Sequence, residues 1–300
     1  TPFSPIRRKA VDAGLVLTTS PVADQKTFSV YASDVINFTD RLSAMLSLRL
    51  DNFERAKVGT VEGYSQTALS PKLGLVYQVV KDKVSVFGNY MNGFQNLAPV
   101  NQPDGSQLIL DPLYANQYEA GVKAELFNKK LSTTFSYYNI TNDNAVIRQA
   151  DLVYQQDGKQ VSKGVEFEFI ANPFPGLDIT AGYAYNDNRI VRASDPTIEG
   201  KKATSSPENV VNFWTTYTFQ NKLKGLGIGA GANYIDKNYF TANNLIYMPS
   251  YTVYNATVYY EKPTWRLGLK FNNITNEKYW DFWGSSMAPA NLLANLTIKF

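Results

Sequence analysis

The sequence predicts an all-β fold, in particular an antiparallel β-barrel whose strands span a membrane. Many segments alternate between apolar and polar residues with a period of two, the pattern of a strand with two different faces. The last one ends the chain, with Leu292, Ala294, Leu296, Ile298 and Phe300 on one face. Short turns alternate with connections that are mostly much longer, which is typical of barrels in membranes.

Composition supports this fold class. The chain has 300 residues, of which 44% are apolar and only 18% charged, with 20 Tyr, 17 Phe and 4 Trp. No apolar run approaches the roughly 18 residues that a transmembrane helix needs. High aromatic content without such a run leaves a soluble all-β protein or a membrane barrel, in which only every second residue faces lipid.

The residue types also exclude several kinds of function. The chain contains no Cys and no His, which excludes disulfides, Cys or His metal sites, catalytic cysteines and His-dependent triads. The formal charge of +3 is dispersed and does not indicate nucleic-acid binding. We therefore expect no enzyme and no metal site. Residue 1 opens no signal peptide, so any signal peptide is expected to have been removed.

Thirteen strands are expected in chain order. Residues 1–24 are rich in Pro, Ser and Arg and are predicted to form a loop or an incomplete strand, with a brief alternation at 11–17. Residues 25–300 form the barrel portion. Its strands are predicted at 27–38, 42–50, 73–79, 84–90, 118–126, 131–137, 165–169, 177–185, 211–219, 226–234, 254–260, 265–271 and 292–300.

One face of these strands carries too many charges for a soluble core. In the fifth strand, Glu119, Lys123 and Glu125 alternate with apolar residues, as expected for a wall that faces a wet lumen. The charges assigned to this wall are Lys72, Glu119, Lys123, Glu125, Glu166, Glu168, Arg266 and Lys270.

The connections follow a consistent order. Short turns are predicted at 39–41, 81–83, 128–130, 172–176, 220–222 and 262–264, and polar loops at 51–65, 94–113, 145–161 and 191–207. If the C terminus is periplasmic, every strand alternates correctly between up and down. Aromatic residues recur beside the short turns, at the depth where amphipathic rings prefer to lie: Phe38, Tyr77, Phe127, Phe174, Phe219, Tyr260, Trp265 and Phe300.

Five segments resemble the barrel of TonB-dependent siderophore receptors. The first runs from Val30-Tyr31-Ala32-Ser33-Asp34 to Leu48-Arg49-Leu50-Asp51 and is similar to the family pattern YAxD … LxxGxRxD, with Ser47 where the family often has Gly. The others are Leu69 to Tyr77 (LSPKLGLVY), Gln117 to Lys123 (QYEAGVK), Lys163 to Glu168 (KGVEFE) and Phe271 to Tyr279 (FNNITNEKY).

The resemblance implies that the chain is the C-terminal part of a 22-stranded barrel with a plug in its lumen. Such receptors lie in the bacterial outer membrane and import ferric siderophores with energy from TonB. The plug, the earlier strands and the segment that contacts TonB would precede this sequence. The wall charges would then be solvated and pair with the plug, and the ferric siderophore is the transported ligand, with no cofactor expected. Outer-membrane lipid is the other partner, and no nucleic acid is expected.

The resemblance also implies a ligand cup built from extracellular loops and upper walls, often through aromatic residues. Rigid rings suit a bulky chelate. Topology maps the candidates to Tyr90, Phe94, Tyr114, Tyr239, Phe240, Tyr247, Trp280, Phe282 and Trp283. The alternative is that these rings pack the loops or belong to the outer aromatic girdle. The Phe282-Trp283-Gly284 run resembles a loop of ferrichrome-type receptors, which favours a hydroxamate siderophore.

Other interpretations stay open at this point. Glu166 and Glu168 lie two apart on one strand face, but without a third group they predict no catalysis. The glycines in 225–231 indicate a wall that the plug approaches closely. The chain could also be a self-standing barrel of about 14 strands that acts as a passive diffusion porin, or an adhesin-like barrel. A soluble β-sandwich is disfavoured because its core would hold charges.

Overall fold

The computed structural model describes residues 24–59, 62–148, 154–193 and 195–300. The expected short strand at 11–17 lies outside the described residues. The strands are β1 (Gln25–Asn37), β2 (Leu42–Arg55), β3 (Tyr64–Val80), β4 (Val84–Gln95), β5 (Val100–Asn101), β6 (Gln107–Leu108), β7 (Leu113–Leu126), β8 (Leu131–Arg148), β9 (Tyr154–Ala171), β10 (Leu177–Arg192), β11 (Asn209–Thr218), β12 (Leu226–Ile235), β13 (Asn238–Tyr239), β14 (Tyr247–Met248), β15 (Tyr251–Lys262), β16 (Trp265–Asn272) and β17 (Asn291–Ile298).

Thirteen of these strands form one antiparallel sheet in sequence order, which confirms the predicted fold class and strand number. The other four form two small hairpins inside long loops, β5 with β6 and β13 with β14. The helical content of the described residues is one 3-10 turn at Pro196–Ile198. Among the described residues, no helix has the length and hydropathy that crossing a membrane requires.

The sheet is open at both edges within the described residues. There, β1 pairs only with β2, and β17 pairs only with β16. Each outer edge therefore presents unpaired backbone N–H and C=O groups, which cost several kcal/mol each, on the order of a lost hydrogen bond, in hydrocarbon. The described strands do not close a barrel among themselves.

The register gives the sheet two chemically different faces. One row runs through Val86, Val122, Phe135, Phe167 and Tyr183, one residue on each of five successive strands. This apolar row lies on the face that the sequence predicts to contact lipid. The exposed apolar residues of β2 alternate in the same sense, since Leu46, Leu48 and Leu50 all lie on this face.

The neighbouring row has the opposite character. It connects Lys123, Thr134, Glu168, Gly182 and Asn212, again one residue on each successive strand. A recess of about 600 Å³ on this face is lined by residues from seven strands, β1 to β9 of the main sheet. Side chains from strands so far apart converge only on the concave side of a curved sheet, so the charged face is the inner wall.

Five of the predicted wall charges line that recess together. They are Lys72, Glu119, Lys123, Glu166 and Glu168. None of them forms an ion pair within the described part of the chain, although Lys123 Nζ lies 5.4 Å from the centre of the Phe87 ring. The inner wall therefore presents charges that are free to contact water or another segment.

The predicted aromatic girdle is present beside the short turns. Phe38, Phe127 and Phe174 are more than half exposed. Tyr260 and Trp265 flank the β15–β16 turn with ring centroids 5.7 Å apart. Rings beside the short turns are expected at the depth of the lipid headgroups.

Three loop predictions are wrong in their extent. The one at 51–65 is too long, because β2 continues to Arg55 and β3 begins at Tyr64. The expected loop at 145–161 is shorter, because β8 continues to Arg148 and β9 begins at Tyr154. The expected loop at 94–113 contains the β5–β6 hairpin. The extension of β8 at 145–148 is mostly apolar and that of β9 at 154–161 mostly polar, so neither alternates and a period of two could not reveal them.

The glycines of β12 have a direct structural cause. A methyl group at Gly227 would overlap the ring of Tyr259, and one at Gly231 would overlap Trp214. Gly121 on β7 makes the same space for the ring of Phe87. Aromatic residues of neighbouring strands therefore lie over glycines on the inner wall. This packing accounts for the glycines without requiring that a plug approach the wall closely.

Replacing Gly227 by alanine is expected to destabilise the barrel. The new methyl group would push the Tyr259 ring away and break its 2.6 Å hydroxyl contact with Thr218. Overpacking of this kind costs about 1–3 kcal/mol. Thermal unfolding of the protein from outer membranes in detergent should show a melting temperature lower by a few degrees. The control is Gly93→Ala, because no atom lies near a methyl group there. Equal melting temperatures for the two variants would contradict the explanation.

Candidate functional site

The candidate site lies at the end of the sheet with the long connections. The short turns all lie at the opposite end, since consecutive strands run antiparallel. The structure distributes the nine predicted aromatic residues over four groups. Among the described residues, no ring contact joins one group with another.

Tyr90 lies on the outward face. It stands between Leu73 and Tyr118 in the register, and its ring centroid is 5.0 Å from that of Tyr118. The Tyr90 hydroxyl donates to Asn116 Oδ1 at 3.0 Å. This placement agrees with the aromatic-girdle alternative, and ligand contact by Tyr90 stays a prediction.

Phe94 and Tyr114 lie directly opposite each other at the upper ends of β4 and β7. Phe94 packs edge-to-face on Phe53 of β2, with centroids 5.3 Å apart. Its ring therefore connects strands that are not neighbours in the sheet, and both candidates are half-buried.

Tyr239, Phe240 and Tyr247 belong to the β13–β14 hairpin. The rings of Tyr239 and Tyr247 lie 6.5 Å apart, and Lys237 Nζ is 5.9 and 5.8 Å from their centres. A cation at that distance is attracted by both ring faces. Phe240 is adjacent and exposed. The hairpin thus offers one cation and three rings to solvent.

Trp280, Phe282 and Trp283 form the tip of the connection 273–290. The rings of Phe282 and Trp283 are 4.8 Å apart, and Trp283 is 71% exposed. Asp281 Oδ1 accepts hydrogen bonds from the backbone of Trp283 at 2.9 Å and of Ser285 at 2.8 Å. A tight turn therefore holds these large rings out in solvent, as a binding surface requires.

Asn273 fixes the base of the same connection. It is only 2% exposed, and its Nδ2 donates to the carbonyl oxygens of Glu277 at 2.9 Å and Ala288 at 3.3 Å. Its Oδ1 accepts from the Glu277 amide at 2.8 Å. Asn273 is not among the site residues predicted from the sequence, although it lies in the FNNITNEKY segment that carries the resemblance.

Lys202 joins two of the long connections. It is 15% exposed and forms ion pairs with Asp187, at 2.7 Å, and with Glu208. Its backbone N–H donates to Asn244 Oδ1, and Asn244 Nδ2 donates back to the Lys202 carbonyl, both at 2.9 Å. The connection 193–208 is thereby tied to the connection 236–250. The sequence carries no signal for this contact, because the partners are far apart in the chain.

The electrostatics of Lys202 favour its charged form. Burial lowers the pKa of this amine, but the hydrogen bonds and negative charges of Asp187 and Glu208 outweigh burial and raise it above its ordinary value. Lys202 therefore stays charged at neutral pH, and its contribution to stability would be lost only in alkaline solution as pH rises through that raised pKa.

The site shows no arrangement for catalysis by a metal. Within the ranges that the structure describes, no group of three or more carboxylates is placed to hold a metal ion. The site consists instead of exposed rings, amides and a few charges on anchored loops.

Comparison with known families decides the identity of this chain. Residues 2–274 match the model of the family described as TonB dependent receptor-like, beta-barrel. The chain belongs to this family. The recognition made from the five motif segments is therefore confirmed.

Several curated receptors are similar to this TonB-dependent receptor chain. The ferric-pyoverdine BN7/BN8 receptor of Pseudomonas putida is 26% identical over 289 residues, 92% of this chain and 35% of the relative. The ferrioxamine receptor of Yersinia enterocolitica is 29% identical over 198 residues, 63% of this chain and 27% of the relative. The ferrichrome outer membrane transporter/phage receptor of Escherichia coli K12 is 26% identical over 297 residues, 92% and 38% respectively.

Solved structures share the fold. The pyoverdine receptor FpvA of Pseudomonas aeruginosa PAO1 superposes with a TM-score of 0.78 at 22% identity, covering 93% of this chain and 43% of that one. The ferric preacinetobactin receptor BauA of Acinetobacter baumannii gives 0.76 at 22%, covering 91% and 43%. The chain spans 35% to 38% of the first and last curated relatives above, and less than half of these structures.

Family membership also establishes where the chain acts. TonB-dependent receptors are β-barrels of the outer membrane, so the expected localisation is confirmed. The curated relatives are transport receptors, which confirms that this chain is not an enzyme.

Lys202→Met is expected to loosen both connections that Lys202 joins. The two ion pairs would be lost, and the backbone contacts with Asn244 would weaken because the ion pairs hold Lys202 in position beside it. Backbone hydrogen exchange should become about tenfold faster in 195–208 and in 236–250, which corresponds to about 1.4 kcal/mol of opening free energy.

The matched control for this experiment is Lys201→Met. Lys201 is exposed and forms no ion pair in the described part of the chain. Its replacement should leave exchange unchanged. If Lys202→Met accelerated exchange in 195–208 alone, the proposed coupling of the two connections would be wrong.

Proposed function

We propose that this chain is the C-terminal barrel part of a receptor that imports a ferric siderophore by TonB-dependent transport. Residues 25–300 would form its barrel portion. The observation that carries the proposal is the open sheet of thirteen strands, which resembles less than half of each receptor structure. Strands from a preceding part of the protein would complete a 22-stranded barrel. A plug and the segment that contacts the TonB complex would also precede this chain.

The proposed ligand contacts are the exposed rings on the anchored loops. The β13–β14 hairpin and the tip of the connection 273–290 present Phe240, Tyr247, Trp280, Phe282 and Trp283 toward solvent on loops that internal hydrogen bonds hold in place. Tyr239 is half-buried beside Tyr247 and completes this set. Large rigid rings lose little conformational entropy on binding. Phe94 and Tyr114 would contribute from the upper wall below them.

The proposed substrate class is a ferric hydroxamate. Support comes from the similarity of the Phe282-Trp283-Gly284 run to ferrichrome-type receptors and from the names of two relatives, a ferrioxamine receptor and a ferrichrome transporter. Ferrichrome and ferrioxamine both chelate iron through hydroxamates. The inner-wall recess of about 600 Å³ has no concentration of cations that would favour a highly anionic chelate, since its two lysines lie among three glutamates.

Growth on ferric siderophores tests this function. The gene with its native flanking sequence would be expressed in a bacterium that lacks its own siderophore receptors, under iron limitation. Ferrichrome or ferrioxamine B should restore growth, and the restoration should disappear when the tonB gene is deleted. Restoration that persists without TonB would contradict active transport.

The diffusion-porin alternative gives a different result in two measurements. A self-standing porin would have an intact mass of 33.6 kDa and would conduct ions in planar bilayers. The proposed receptor should be roughly two to three times as large, because this chain matches only 35% and 38% of two of its relatives, and its plug should block conduction. A 33.6 kDa conducting channel would replace the receptor proposal.

Trp283→Ala is expected to weaken binding of the ferric hydroxamate. Loss of a large exposed ring at a binding surface costs about 1–2 kcal/mol, roughly a tenfold increase in Kd. The measurement is quenching of intrinsic fluorescence or calorimetry on the purified receptor. Trp265→Ala is the matched control, because Trp265 lies beside a short turn at the opposite end of the sheet. Equal affinities for both variants would argue against the loop tip as a ligand contact.

A further inference from the structure

The inner wall contains a second recess whose chemistry differs from the charged one. It has a volume of about 620 Å³ and lies beneath the connection 273–290, between strands β11, β12, β15, β16 and β17. Six of its thirteen lining residues are asparagines, and Lys270 is its one charged residue. The asparagines are Asn212, Asn233, Asn255, Asn272, Asn273 and Asn291.

Strand register concentrates these amides. Asn212 of β11 lies directly opposite Asn233 of β12, and Asn272 of β16 lies directly opposite Asn291 of β17. Asn255 of β15 lies next to this second pair. The amides therefore belong to the inner face of four hairpin-connected strands and the final strand, at the height where the long connections begin.

Several of these amides have hydrogen-bonding capacity left. Within the described residues, the side chains of Asn212 and Asn233 form no hydrogen bond, and both are exposed. Asn272 Nδ2 donates to Asn291 Oδ1 at 2.9 Å, which leaves Asn272 Oδ1 unused. Asn255 Oδ1 accepts from the Asn273 backbone at 3.0 Å, which leaves Asn255 Nδ2 unused. Donors and acceptors are thus available in similar numbers.

The roof of the recess is firmly anchored. Tyr279 contributes a ring that lies 4.5 Å from that of Tyr251, and Met287 and Ala288 contribute apolar surface. Asn273 holds this connection in place through the hydrogen bonds described above. A ligand would therefore meet a preformed site with a polar floor and a partly apolar roof, as is common for small-molecule sites.

The charge of the recess restricts the ligand. Lys270 is exposed and has no ion-pair partner in the part of the chain described by the structure. One cation cannot balance a chelate with three negative charges, because each buried or half-buried charge needs its own partner. Amides suit carbonyl and N–O oxygens as acceptors and amide N–H groups as donors.

We propose that this recess is a binding subsite for the uncharged, amide- and hydroxamate-rich part of the transported chelate. This inference rests on the proposed function and deepens it. The amide groups of Asn212 and Asn233 bind the oxygen atoms of the chelate after it leaves the aromatic loop tip. The site discriminates against tris-catecholate chelates, which carry three negative charges.

The test compares two probes on the purified full-length receptor. Ferrichrome is the uncharged ferric hydroxamate, and the ferric complex of enterobactin is the anionic tris-catecholate. The variant N212L/N233L removes both amides while it keeps the branching and the number of side-chain heavy atoms. Its Kd for ferrichrome should rise at least about tenfold, since two hydrogen-bonding groups are lost. Asn142→Leu on the inner face of β8 is the matched control and should leave the Kd unchanged.

The outcomes separate the two proposals. Wild-type receptor that binds neither probe would overturn both the proposed function and this inference. Wild-type receptor that binds ferrichrome as tightly as N212L/N233L does would overturn the inference alone. Tighter binding of the tris-catecholate by wild type would also overturn it.

A plug that fills the recess would give another distinct result. N212L/N233L would then lower the melting temperature of the ligand-free receptor and weaken both probes by the same factor. That result would overturn the subsite and assign the amides to contact with the plug. An unchanged melting temperature with a selective loss of ferrichrome affinity would support the subsite.

Discussion

The whole structure depends on the requirement that backbone polar groups in a bilayer be hydrogen-bonded to one another. The described strands meet it by a continuous antiparallel ladder from β1 to β17. Because the ladder fixes the register, it also fixes which side chains share a face. An apolar row through Val122 and Phe135 and a polar row through Lys123 and Thr134 are direct consequences. The ladder stops at two open edges among the described residues, and this requirement is why further strands are expected.

Apolar alternation made most of this fold predictable. Thirteen strands, their order and the position of the short turns follow from a period of two and from turn residues. The same signal fails where a strand leaves the bilayer. The upper parts of β8 and β9 mix polar and apolar residues without alternation, and these extensions were predicted to be loop. Hydrogen bonding continues there without any pattern in hydropathy.

The candidate site was predictable in composition but not in contacts. Exposed rings such as Trp283 were recognisable as loop aromatics, and the structure shows them in solvent. Tyr90 was assigned by its position near a loop, although one residue of register decides between the inner and outer face. Asn273 and Lys202 act through partners elsewhere in the chain. Such contacts depend on how the connections pack against one another, which the local sequence does not show.

The packing of aromatic rings against glycines affects the shape of the lumen surface. Phe87, Trp214 and Tyr259 each lie over a glycine of a neighbouring strand, where any side chain in place of the glycine would collide with the ring. A large side chain that projected into the lumen would make it narrower. Rings that lie against glycines leave more room in this part of the lumen for a bulky solute or a moving protein segment, while the charged and amide side chains of the same wall remain available to it.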